Sequence, residues 1–185
     1  MILPGILASG ISGHLFSSNY YSIATITISG SSTTYATFNS IPSTYTHLQL
    51  RYTARSLRGI YADSLFVEVN GDTTSYYSHG MFGNGTTAGS YSDNGNPNVI
   101  GIIASSGSLS NIFGSGVADF LDYTNTNKYK TIRSLSASDT NNNGGGANFR
   151  SSTWPNTAAI NSLSIFTNSG SNLASGSTFA LYGIK

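Results

Sequence analysis

From Tyr20 onward, apolar and polar residues alternate with a period of two. Leu48, Leu50 and Tyr52 alternate with His47, Gln49 and Arg51; Leu65, Val67 and Val69 alternate with Phe66, Glu68 and Asn70; Ala24, Ile26 and Ile28 alternate with Ile23, Thr25 and Thr27. Successive side chains of an extended chain point to opposite faces, so each run reads as a half-buried strand. The chain closes on the same rhythm, with Thr178, Ala180, Tyr182 and Ile184 set against Phe179 and Leu181. Asn-Gly pairs at 70–71, 84–85, 94–95 and 143–144 punctuate these runs, since both residues tolerate the positive φ of tight turns. The pattern marks strands near 20–29, 33–39, 46–53, 64–70, 76–82, 97–104, 113–121, 129–137, 147–154, 160–167 and 177–184, of which nine or ten are expected to form.

No window carries a convincing amphipathic helix. The best candidate, Tyr52 to Ile60, has Arg51, Arg55 and Arg58 at helical spacing, but it is short and meets Gly59. The fold expected is all-β: an antiparallel β-sandwich over residues 20–185, preceded by an apolar arm over 1–19. Long Gly- and Asn-rich connections, Ser78 to Asn98 and Ser138 to Asn148, fit a jelly roll better than a seven-stranded immunoglobulin domain, because the connections are uneven and the chain is longer. No period of about 20 to 50 residues repeats, which disfavours a solenoid or propeller. In the arm, Pro4, Gly5, Gly10 and Gly13 interrupt the apolar residues, and no basic residue precedes them, unlike a secretory signal. Ile2, Leu3, Ile6, Leu7, Ile11, Leu15 and Phe16 need an apolar surface, each being worth about 1.5 to 3 kcal/mol when buried. The arm is therefore expected to dock on its own sandwich or on a neighbouring subunit.

Composition narrows the function. Only 8% of the 185 residues are charged and the formal net charge is +1, so no field exists to bind nucleic acid through its phosphates. No apolar run approaches the 18 or so residues of a membrane-spanning helix. With no cysteine, thiolate nucleophiles, iron–sulfur clusters and cysteine zinc sites are excluded. Ser, Thr, Asn, Gly and Tyr supply the polarity instead, which points to contacts made by neutral hydrogen bonds and tyrosines.

The chemistry-bearing residues are few. His14, His47 and His79 lack the spacing that puts two ligands on one face, and His47 is expected to face solvent or an interface. Asp139, Asn141, Asn143 and Gly144 match the first half of a calcium loop, but position twelve is Arg150 where a bidentate Glu is required, so no metal is assigned. Asp119 and Asp122 are the nearest to a glycosidase pair, yet residues three apart on a strand face opposite ways; Asp122 is better suited to a turn, paired with Lys128 or Lys130. The chain has one glutamate, Glu68, and no G-x-S-x-G elbow, while Gly83-Asn84-Gly85 lacks the lysine and helix of a phosphate loop. No catalytic residue and no cofactor are assigned. Arg51, Arg55 and Arg58 form the one basic cluster, able to clamp a carboxylate of a neighbour or an acidic sugar. Tyr76, Tyr77 and Tyr91, in or beside loops, suit either a protein interface or a sugar.

Several stretches together resemble a family of tailed-bacteriophage structural proteins. They are Ser12 to Leu15, Tyr21 to Thr25, Phe38 to Arg51 (FNSIPSTYTHLQLR), Asn70 to Asp72, Asp122 to Ser136, Trp154 to Leu163 and Phe179 to Ile184, covering nearly the whole chain. The resemblance implies a non-enzymatic virion component with a jelly-roll module, assembled in the host cytoplasm. The favoured expectation is a capsid decoration or cement protein, a homo-oligomer such as a trimer, attached through its arm to other virion proteins such as the major capsid protein. The alternative is a tail-tip or fibre module that recognises a host surface glycan. Neither nucleic acid nor membrane is an expected partner.

Overall fold

A computed structural model describes residues 19–30, 33–74, 76–94, 98–140 and 145–185. The strands are β1 Tyr20–Thr27, β2 Tyr35–Phe38, β3 His47–Ala54, β4 Ala62–Val69, β5 Tyr77–Gly83, β6 Ala88–Asn94, β7 Asn98–Ala104, β8 Gly114–Leu121, β9 Lys130–Ser138, β10 Gly146–Trp154, β11 Leu163–Thr167 and β12 Thr178–Ile184. Two antiparallel sheets form a sandwich, an eight-stranded one ordered β1-β12-β3-β8-β9-β10-β5-β6 and a four-stranded one ordered β2-β11-β4-β7. All eleven marked runs contain a strand, and among the described residues one further strand falls outside them. β6 lies inside the stretch read as a connection because its sequence, AGSYSDN, offers no apolar alternation. It pairs with β5 across a turn in which the Asn84 side chain accepts hydrogen bonds from the backbone of Thr86 (3.1 Å) and Thr87 (2.8 Å).

Alternation is obeyed where both faces are committed. Leu48, Leu50 and Tyr52 of β3, Leu65, Val67 and Val69 of β4, and Phe179 and Leu181 of β12 are all buried between the sheets. In β1 a register shift between Ser22 and Ala24 breaks the period, so Ile23, Ala24 and Ile26 all pack partly against the core. The helical candidate at 52–60 does not form. Its first residues continue β3, whose hydrogen bonding to β8 and β12 on either side outweighs a weak local preference. The Asn70-Gly71 turn forms as expected, with φ of 54° and 76°.

Tyr52 crosses the core beneath β7 and donates to the Ile100 carbonyl at 3.1 Å. A β-carbon at Gly101 would lie 1.9 Å from its hydroxyl and one at Gly116 2.3 Å, so both glycines serve the close approach of β7 to β8 and β9.

Lys130 is fully buried at the start of β9. Its ammonium donates to three carbonyls, Asn125 (2.6 Å), Thr157 (3.0 Å) and Lys128 (3.1 Å), tying the loop before β9 to the loop after β10. Burial first, and then the like charge of Lys128, pulls its pKa down. Lys130→Met keeps the stem and orphans the carbonyls. It is expected to cost about 2–4 kcal/mol in urea unfolding, and a change below about 0.5 kcal/mol, the scale of an ordinary surface substitution, would refute the fastening role.

Candidate assembly interface

The phase of β9 and β10 sets the chemistry of the large sheet. In β9 the inward positions are Lys130, Ile132, Ser134, Ser136 and Ser138, so Leu135 and Ala137 point outward; in β10 Arg150 and Ser152 point inward and Phe149 outward. Pairing aligns Val117 with Leu135, Leu135 with Phe149 and Phe149 with Met81, one apolar row across four adjacent strands. Met81, Leu135 and Phe149 are 61%, 54% and 45% exposed. The adjacent row, Ser115, Ala137, Ala147, Gly83 and Ala88, is made of small residues. Two depressions result, one of 430 Å³ and one of 340 Å³, and they share Leu135 and Ala147, so they join into a shallow trough across the sheet. A contiguous exposed apolar patch of this kind makes the trough a candidate interaction surface.

A polar chain borders the trough. Arg133 pairs with Asp119 (3.0 Å), which accepts from Gln49 (2.7 Å), which in turn accepts from the Nε of Arg51 (2.7 Å). The Arg51 guanidinium also lies over the rings of Tyr20 (5.1 Å) and Tyr182 (5.0 Å) and lines the larger depression.

The three arginines expected as one cluster have separate attachments. Arg51 is on the outer face as described. Arg55 is buried, its guanidinium donating to the Ser108 hydroxyl and to the carbonyls of Ser108, Leu109 and Ile112. Arg58 pairs with the buried carboxylate of Asp63 at 3.2 Å. Helical spacing brings such residues together only in a helix, and none forms here. The tyrosines separate likewise. Tyr76 is 2% exposed, its hydroxyl accepting from Val69 N–H and donating to the Asp72 carbonyl, both at 3.0 Å. Tyr91 is half-buried between Phe82 and the Arg150 guanidinium, 4.1 Å from its ring. Tyr77 alone of the three is freely displayed, at 51% exposure.

The arm residues Ile2, Leu3, Ile6, Leu7, Ile11, Leu15 and Phe16 lie outside the described residues, as do His14 and the 141–144 part of the suspected calcium loop. Among the described residues no group of three His, Asp or Glu could hold a metal ion, and no helix is long and apolar enough to cross a membrane. No family model, curated protein or solved structure matches this chain.

The aspartates with charged partners serve structure. Asp93 pairs with Arg150 (3.0 Å), and Asp122 pairs with Lys128, as the turn reading expected. His47 is half-buried on the outward phase of β3, as expected, and its Nδ1 accepts from the Asp122 N–H (2.9 Å), so it also holds a turn. Asp72 accepts from the Trp154 indole (2.7 Å) and the Thr74 N–H (2.9 Å). Burial pushes the Asp72 pKa upward, but these bonds outweigh it and hold the carboxyl below its ordinary value. The Lys128 hydrogen bond does the same for Asp122. A carboxyl depressed in the fold stabilises it above the unfolded pKa, and that contribution disappears as pH falls through the folded value. Melting temperature is expected to fall between about pH 5 and pH 2, less steeply in Asp122→Asn; an unchanged slope in that variant would contradict the assignment.

Proposed function

We propose that this protein is a non-enzymatic structural component of a tailed-phage virion, a decoration or cement protein attached through its apolar arm and working as a homo-oligomer, with the major capsid protein among its partners. The trough carries this reading: an exposed apolar row on a rigid sheet is what an assembling subunit requires, while the identified aspartate contacts belong to the scaffold. Strand order supports a jelly-roll interpretation. If the β5–β6 and β9–β10 hairpins are set aside, the remaining strands run β1-β12-β3-β8 in one sheet and β2-β11-β4-β7 in the other, the interleaved order of a double Greek key. Both hairpins extend the same sheet, and three of the four trough strands belong to β5, β9 and β10.

The glycan-binding alternative retains Tyr77 from the loop tyrosines. The four-stranded sheet also carries a ladder of Tyr35, Phe166 and Phe66 with centroids 5.2 and 5.5 Å apart, in which Phe166 is flanked on both sides and Tyr35 is 49% exposed. Quantitative mass spectrometry of purified particles decides the matter. Tens to hundreds of copies per particle are expected of a decoration protein; absence from the particle refutes the virion assignment, and a handful of copies moves it to the tail.

A further inference from the structure

We propose that Met1–Phe16 folds back across the outer face of its own eight-stranded sheet and occupies the trough walled by Val117, Leu135, Phe149 and Met81. The inference builds on the arm reading above and gives the arm a seat in the free protein.

Three observations converge on it. The first is the exit point. The described chain enters β1 at Tyr20, whose ring lies on the Arg51 guanidinium, and Arg51 lines the larger depression. The Tyr20 ring therefore lies on the trough's face of the sheet, beside the side chain that bounds the larger depression. The second is reach. From Tyr20 on β1 to Met81 on β5 there are six strand spacings, about 29 Å, and the Tyr20 register runs through Ile184 to His47, four residues or about 13 Å along β3 from Arg51. Roughly ten extended residues span the resulting distance of about 32 Å, and the arm has sixteen. The third is chemistry. Met1–Phe16 contains no Asp, Glu, Lys or Arg, and Arg51 is the only charged residue lining either depression. A charged partner would find little to pair with, whereas an uncharged segment rich in Ile and Leu matches the trough. A segment tethered at its rim also has an effective concentration in the millimolar range, far above that of a second copy at micromolar protein.

Docking in the chain's own trough covers both apolar surfaces until assembly, when a particle must draw the arm away. The test uses the full chain and limited proteolysis with thermolysin, which cleaves beside Ile, Leu and Phe. Cleavage within 1–16 is expected to be slow in the unmodified protein. It should accelerate roughly tenfold or more in Leu135→Asp/Phe149→Asp, because cleavage follows the open population. Thr131→Asp, on the same face but off the row, is the control and should cleave at the unmodified rate. Circular dichroism confirms that the variants keep the sandwich, and Met81→Asp gives a second, single-site check. Equal cleavage rates in the unmodified and double-variant proteins, whether fast or slow, overturn the proposal. Protection that grows with protein concentration places the arm on a neighbour and overturns it as well. Particle incorporation is scored separately, on the unmodified protein: its absence from purified particles counts against the virion reading alone, and the cleavage rates are unaffected by that result.

Discussion

Replacing Arg55 with methionine is expected to lower the stability of the sandwich by about 3–5 kcal/mol, roughly 10 °C in melting temperature for a chain of this size. Arg55 sits just past β3 and is buried without a carboxylate partner. Its Nη1 donates to the Leu109 and Ile112 carbonyls at 2.9 and 2.7 Å, and its Nη2 to the Ser108 carbonyl at 3.1 Å. One guanidinium thus gathers the acceptors of the 105–113 loop. The two loops at this end of the sandwich are further joined by Ser105 N–H to the Tyr61 carbonyl (3.1 Å) and Gly107 N–H to the Ile60 carbonyl (2.9 Å). Methionine preserves much of the stem and orphans the carbonyls. Lysine restores the charge but not the fork, so Arg55→Lys should recover less than half of the loss. Urea unfolding of the three proteins measures this, and equal stability of Arg55→Met and the parent would show that the loops hold themselves.

Deleting Met1–Phe16 is expected to leave a folded sandwich that no longer joins particles, with association down by at least a hundredfold. β1 begins at Tyr20 and the core is drawn from Ile28 onward, so the deletion removes no strand and no core residue among those described. It does remove Ile2, Leu3, Ile6, Leu7, Ile11, Leu15 and Phe16. At about 1.5–3 kcal/mol per buried side chain the gross contribution exceeds 10 kcal/mol, and several kcal/mol survive the cost of ordering the segment. Copy number on particles, with β-sheet content checked by circular dichroism, is the measurement. Normal incorporation of the truncated chain would remove the arm from the attachment mechanism and leave the trough as the contact.

Strands were legible where one face is uniformly apolar. β3, β4 and β12 announce themselves because Leu48, Leu50, Leu65, Val67, Phe179 and Leu181 each need the core, and a slip of one residue would expose them all. β6 gave no signal because it is a polar edge strand, held by pairing with β5 and not by burial of its own. The trough was illegible for a related reason. In β9, Ile132 and Leu135 fall on opposite phases, so alternation alone does not say which one faces the core. Helical spacing groups Arg55 and Arg58 with Arg51, but the chain forms no helix there, and Tyr76, beside a loop in the sequence, closes a buried turn with its hydroxyl.

The sequence by itself determined that this chain is a β-sandwich without cysteine chemistry or a strong charge field, because alternation and composition are local quantities written residue by residue. Only the tertiary structure decided which of two outward phases β9 and β10 adopt, and so that Leu135, Phe149 and Met81 line up into a trough. Cross-strand register is a property of neighbours far apart in the chain, fixed by the packing of β7 over β8 and β9, and no window of the sequence contains it.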